Sequence, residues 1–141
     1  MLRFVTTPSA RNGYASPTVF ALMDWDPDGI AILSVYKHGS ANKAMGDEDL
    51  LIPCMYRLGL SKADLDVVIA DGKDYGLLEM TGRDRSKARQ LLGKPLYDER
   101  GVEQSWRLEL QVMLMLNLKA ELQILDENPD RLHQIMGRLS V

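Results

Sequence analysis

Thr18-Val19-Phe20-Ala21-Leu22-Met23-Asp24-Trp25-Asp26-Pro27-Asp28-Gly29 is the stretch on which the fold turns. Thr18 to Met23 is a short, almost unbroken apolar run that stops at an acid, the pattern of a strand covered on both faces in a parallel sheet. Asp24 then lies at the strand's C-terminal edge. Pro27 and Gly29 carry turn chemistry, and from Gly29 to about Lys43 the apolar residues Ile30, Ile32, Leu33, Val35 and Tyr36 recur at helical spacing. A strand, a tight turn and a helix in that order belong to an α/β fold.

In extended backbone, side chains two residues apart share a face, so Asp24 and Asp26 can present their carboxylates together above the sheet edge. Two like charges that close repel unless neutralised. A hard divalent cation such as Mg2+, which takes one or two carboxylates plus waters and phosphate oxygens, suits that task. The helix that follows offers exposed amide hydrogens that favour a phosphate oxygen nearby. Two other readings fit the same residues. Asp-Pro-Asp-Gly is a turn sequence in its own right, with Asp28 capping the next helix. Asp24, Asp26, Asp28 and Gly29 also match the first half of a calcium-binding EF-hand loop. Val35 then falls where that loop requires a bidentate Glu, and the preceding segment reads as strand.

The chain has 141 residues, 45% of them hydrophobic, enough for one domain with a core of its own. A net charge of -3 and a pI near 5.4 argue against a general polyanion binder, so any contact with nucleic acid must be local. Cys54 is the single cysteine, which excludes an internal disulfide and a cysteine-rich zinc site and fits a reducing compartment. No stretch approaches the roughly 20 apolar residues of a membrane-spanning helix, so no membrane partner is expected. Residues 1–17, rich in Thr, Ser, Pro, Asn and Gly, read as a linker or the remnant of something longer.

Further along, a second strand is expected around Ile52 to Tyr56, limited by Pro53 to a strand start or a sheet edge. Ser61 and Thr81 are N-cap residues for helices through Ile69 and over Gly82 to Leu92, with Asp71 to Gly76 as the loop between them. Glu103 to Leu125, free of Gly and Pro, reads as one long helix. Its apolar residues fall on more than one face, so it is expected to be covered on both sides. Pro129 opens a last short helix over Asp130 to Leu139. Arg83, Arg85, Lys87, Arg89 and Lys94 form a basic run in which Asp84 is the opposing charge. That run is either a phosphate-tracking surface or a solvated helix face.

Several blocks in order resemble the meiotic double-strand-break transesterase family, related to the A-type chain of topoisomerase VI. They are Phe20 through Gly29, Tyr36-Lys37-His38-Gly39-Ser40, Thr81 through Asp84, Trp106 with Glu109 and Leu110, and Asn117-Leu118-Lys119-Ala120-Glu121. The resemblance covers roughly residues 18 to 127. It implies a partial Toprim fold: a Rossmann-like parallel sheet with flanking helices and a long C-terminal helix, with residues 18–141 as the C-terminal part of that domain. It implies Mg2+ as cofactor, with Asp24 and Asp26 matching the family's Asp-x-Asp ligands, while Asp28, Lys119 and Glu121 receive no role. It also implies DNA as substrate and tyrosyl transesterification as the chemistry. Lys37, Arg83, Arg85, Lys87 and Arg89 are then the candidate DNA contacts, and His38 lies beside the first of them.

The same resemblance implies partners and limits. Relatives act as dimers, so a homodimer or a heterodimer with a related subunit is expected, together with a topoisomerase VI B-like subunit. Trp25 within the acidic motif is more similar to the eukaryotic meiotic branch, which points to the nucleus. The family's Toprim Glu, its Gly-Tyr-Pro-Asp block and its nucleophilic Tyr should all lie before residue 18 and are not found there. The chain is therefore expected to be a C-terminal fragment or truncated product that cannot cleave DNA alone. With its first Toprim strand missing, its sheet is expected to expose an unpaired edge and part of its apolar face, and marginal stability follows. Two functions remain open: the metal-binding part of a DNA-cleaving enzyme, and a non-catalytic remnant that only dimerises or binds DNA.

Overall fold

The structure is a computed structural model that describes residues 18–39, 51–70, 76–97, 101, 103–125 and 129–137. Its elements run β1 (Phe20–Met23), α1 (Pro27–His38), β2 (Tyr56–Gly59), α2 (Lys62–Ala70), β3 (Leu77–Glu79), α3 (Gly82–Leu92), α4 (Gln104–Leu116), β4 (Leu118–Ala120) and α5 (Pro129–Gly137). Single 3-10 turns lie at Pro95–Tyr97 and Leu122–Leu125. The class is α/β with a small parallel sheet and flanking helices, as the opening strand, turn and helix imply. Residues 1–17, Lys43, the 71–75 loop and Leu139 lie outside the described residues.

β1 and β2 pair in parallel, Phe20 opposite Tyr56 and Met23 opposite Gly59, so the connection through α1 is a crossover. Gly59 is required there: its φ is +134°, and a Cβ would stand 2.4 Å from the Met23 carbonyl oxygen. β3 and β4 pair antiparallel, Leu77 opposite Ala120. Trp25 joins the two ribbons. Its N–H donates to the Ala120 oxygen at 2.8 Å, and the Ala120 N–H returns the bond to the Trp25 oxygen at 3.0 Å. The strands thus lie in the order β2, β1, β4, β3, with Trp25 as the hinge pin between the pairs.

The core gathers beneath this surface around fully buried Trp25, Ile30, Leu33, Leu91, Leu110 and Met113. α1 packs on α3 and α3 on α4. Burial of large side chains such as Trp25 and Leu110 is the dominant stabilising effect; truncating either to Ala costs about 2–5 kcal/mol.

Several elements differ from the sequence reading. β1 is not covered on both faces, and Phe20 is 38% and Leu22 49% exposed, in line with the expectation that part of the apolar face is open. Their neighbour Tyr56 pairs with Phe20 at 5.8 Å between ring centroids. β2 starts at Tyr56, where the sequence pattern would end it, because Pro53 and Cys54 make a turn that precedes the strand. α1 starts at Pro27, two residues early, and stops at His38, where Gly39 takes φ +88°. β3 has no counterpart in the sequence reading, since three residues are too few to show a period.

The long helix is the largest correction. α4 ends at Leu116, and Asn117 adopts a left-handed conformation at φ 55°, which turns the chain into β4. Asn is a common non-glycine residue in that region, and a left-handed residue after the last helical turn satisfies a terminal carbonyl. Here the Asn117 N–H bonds the Met113 oxygen. Nor is α4 covered all round: Leu108 is 62% and Met115 83% exposed. No helix among the described residues is long and apolar enough to cross a membrane.

Candidate metal centre

The acids are placed by a short-range cap at Asp26 and a long-range hydrogen bond at Asp24. Asp26 is the N-cap of α1, its Oδ1 accepting the Gly29 N–H at 2.6 Å, with Pro27 at the first helical position, where its missing N–H costs nothing. The cap is therefore Asp26, not Asp28, which sits in the first turn with Lys87 Nζ at 3.9 Å. The helical course from Pro27 to His38 also excludes an EF-hand loop over these residues. Asp24 is held from far along the chain: its Oδ1 accepts the Leu122 N–H at 2.7 Å, across 98 residues.

Alternation decides which side each residue faces. Trp25 is fully buried, so Asp24 and Asp26 turn away from the core, to the opposite side of the extended backbone. In the antiparallel bridge Trp25 and Ala120 share a face, which puts Lys119 and Glu121 on the side of the acids. Each acid uses one carboxylate oxygen on a backbone amide, and a carboxylate has two.

Electrostatics fit that arrangement. The Asp26 carboxyl is pushed above the ordinary carboxylate range by burial, with Asp24 and Asp28 adding to the shift; the Gly29 bond and the Lys119 charge oppose it. Lys119 is pulled up by its hydrogen bond with Asp84, at 3.0 Å, and further by Asp26 and Glu121. Asp84 is raised by burial, but the Thr81 and Lys119 contacts outweigh this and hold it below the usual range. The Asp84 carboxylate accepts both the Thr81 N–H and Oγ–H at 2.8 Å while Thr81 Oγ1 caps α3, so one side chain closes the capping box and pins Lys119.

The donor set suits Mg2+. Half-buried, mutually repelling carboxylates at a strand end, beside a helix N-terminus, are hard oxygen donors with excess negative charge. Among the described residues no cluster of three or more His, Cys, Asp or Glu is set to hold a metal. Two carboxylates completed by water and phosphate oxygens suit Mg2+, whereas the all-protein cage of a calcium site needs more.

The basic residues divide. Lys37 and His38 both reach the buried Glu103, at 2.7 and 2.8 Å, and Lys37 stands 5.3 Å over the Trp106 ring, so both are engaged inside the fold. Arg85 donates to the Met80 oxygen at 2.6 Å and to Asn117 Oδ1 at 3.0 Å, bracing the α4 terminus. Lys87 lies by Asp28. Arg83 and Arg89 are exposed on α3. Sequence reasoning gave Lys119 no role because it placed the residue on a helix; the strand register supplies one.

Comparison with known proteins agrees with this geometry. The family model for the Toprim domain of the Topoisomerase 6 A-subunit/Spo11 proteins matches residues 13–133. Meiotic recombination protein SPO11 of Homo sapiens is 36% identical over 107 residues, covering 76% of this chain and 26% of that protein. The A3 subunit of DNA topoisomerase 6 of Oryza sativa subsp. indica is 38% identical over 109 residues, covering 76% and 23%. Meiotic recombination protein SPO11-1 of Arabidopsis thaliana is 36% identical over 107 residues, covering 76% and 28%. The chain thus spans about a quarter of the length of these curated relatives. Most of its length, the Asp24-Trp25-Asp26 strand end included, falls within the matched region, and the chain belongs to the topoisomerase 6 A-subunit/Spo11 family through its Toprim domain.

Proposed function

We propose that this chain is the Mg2+-binding part of a Toprim domain that handles DNA phosphates in strand cleavage, with Asp24 and Asp26 as the ligands. The observation that carries the reading is the placement of Asp24 and Asp26 on one face at the head of α1, each held there by a backbone amide through one carboxylate oxygen. A bound Mg2+ supplies charge stabilisation at a phosphodiester oxygen. The chain's own residues hold that geometry: Leu122 fixes Asp24, Gly29 fixes Asp26, and Lys119 offers a cation on the same face for a phosphate oxygen. Exposed Arg83 and Arg89 extend the positive surface along α3, with half-buried Lys87 on the same helix, whereas Lys37 and Arg85 are held by Glu103 and by Met80 and Asn117.

On this reading the nucleophile comes from elsewhere, since none of the tyrosines among the described residues stands beside the acids. Tyr97 is fully buried, Tyr56 lies opposite Phe20, about 13 Å of strand before Asp24, and Tyr36 is about 15 Å along α1 from Asp26. On this reading the isolated chain does not cut DNA, and it acts in the nucleus with a second A-type partner and a topoisomerase VI B-like subunit, in meiotic recombination. The second reading, a remnant that only dimerises or binds DNA, draws on the exposed apolar residues Phe20, Leu22 and Tyr56.

Fluorescence anisotropy with a short labelled duplex separates the two. Binding that tightens several-fold on adding Mg2+ in the wild type, but not in an Asp24→Asn, Asp26→Asn variant, supports the metal reading. Binding equal in both proteins, with and without Mg2+, leaves the remnant reading in its place.

A further inference from the structure

Between the two proposed ligands sits a residue that touches no metal. Trp25 is fully buried, and its indole N–H donates to a carboxylate oxygen of Glu109, on α4, across 84 residues. Its backbone exchanges two hydrogen bonds with Ala120, at 2.8 and 3.0 Å. Trp25 is thereby gripped at three points, two on the main chain and one at the far end of the ring. The peptide planes on either side of it set the Cα–Cβ directions of Asp24 and Asp26, so a Trp25 that cannot swing fixes where both carboxylates stand.

Glu109 is an unusual choice for simple packing. A buried indole N–H needs an acceptor, but a neutral carbonyl would satisfy it. A carboxylate makes the stronger, charge-assisted bond, and its charge also favours the buried guanidinium of Arg57. Arg57 is depressed below its ordinary range by burial, with Glu109 first among the charges that oppose this and Asp26 also contributing. Arg57 lies on β2, opposite Ala21 of β1, and donates to the Leu60 oxygen at 2.8 Å. Glu109 therefore ties α4 to the strand end that carries the acids.

We infer that Glu109 is a positioning residue for the acidic pair, acting through Trp25 to hold Asp24 and Asp26 in metal-binding geometry. This rests on the reading of those acids as the metal ligands. Residues that orient ligands from behind commonly change metal affinity by about 10–100-fold when lost.

The test is Mn2+ affinity of the full chain, by calorimetry at low temperature where each variant is folded, with a metal-free melt recorded alongside. Glu109→Ala and Trp25→Phe should each weaken Mn2+ binding about tenfold or more. Glu109→Gln, which keeps an acceptor oxygen for the indole, should stay within about threefold of the wild type, and Trp25→Phe with Glu109→Ala should be no worse than either alone. If Glu109→Ala does not fold, Trp25→Phe and Glu109→Gln carry the comparison. Lower melting temperatures with unchanged Mn2+ affinity in the folded variants would overturn the positioning role, as would a Glu109→Gln loss equal to that of Glu109→Ala. Mn2+ binding absent from the wild type overturns the metal reading itself, and this inference with it.

Discussion

The Leu122 backbone N–H donates to Asp24 Oδ1 at 2.7 Å, so the first acid of the motif is fixed by a turn 98 residues downstream. The contact exists because Asn117 ends α4 early and sends β4 antiparallel past Trp25. The short-range cap on Asp26 and the long-range bond on Asp24 together let two carboxylates of like charge stand side by side.

Asp26→Asn should stabilise the metal-free chain at neutral pH. Burial and its acidic neighbours raise the Asp26 carboxyl in the folded state, so the folded chain binds the proton more tightly than the unfolded chain does. Stability then falls as pH rises from the ordinary carboxylate range through the raised folded value, and the ionised form is a cost above it. Asn keeps the capping oxygen and removes the charge. Melts at pH 7 should rise by a few degrees in the variant, with a smaller difference near pH 4.

Asp84→Ala should be strongly destabilising, by about 2–4 kcal/mol, since it breaks a capping box and strands Lys119. Asp84 is held low in the folded state, so its stabilisation is present above the ordinary carboxylate value and is lost as pH falls through the folded one. Chemical denaturation at pH 7 and at pH 3 should show the wild type and the variant converging in acid.

Gly29→Ala should loosen the site. A Cβ at Gly29 would meet Asp26 Oδ1 at 2.9 Å and the Asp24 carbonyl oxygen at 3.0 Å, so the cap must shift even though Ala favours a helix by about 1 kcal/mol. The expected result is weaker divalent-ion binding without the stability gain that propensity alone would bring, checked by a melt and a Mn2+ titration.

The basic run should split by role. Arg83→Ala with Arg89→Ala should leave the melting temperature unchanged and reduce the salt dependence of duplex binding by about two counterions. Arg85→Ala, which loses bonds to Met80 and Asn117, should instead lower stability by about 1–2 kcal/mol. Anisotropy titrations across a range of salt concentrations, with parallel melts, distinguish the two outcomes.

What the sequence shows most clearly is what lies close along the chain. The run from Phe20 into Asp24 announces a strand end, and Pro27 after Asp26 announces a helix start, because both signals depend on a few adjacent residues. Thr81 announces the start of α3 in the same way, while the capping box it closes with Asp84 emerges in the structure. Asn117 hides the end of α4, since its left-handed turn interrupts a stretch of good helix formers that propensity alone carries on to Leu125. Lys119 and Glu109 stayed without roles for a related reason. Their partners Asp84 and Trp25 lie 35 and 84 residues away, and only the packing of α3 and α4 against the strands brings them together.

Whether Asp24 and Asp26 bind a divalent cation is decided by Mn2+ calorimetry on the wild type and the Asp24→Asn, Asp26→Asn variant. Saturable binding to the wild type, competed by Mg2+ and lost in a variant that is still folded, is the expected result. Identical heats from the two proteins would contradict it.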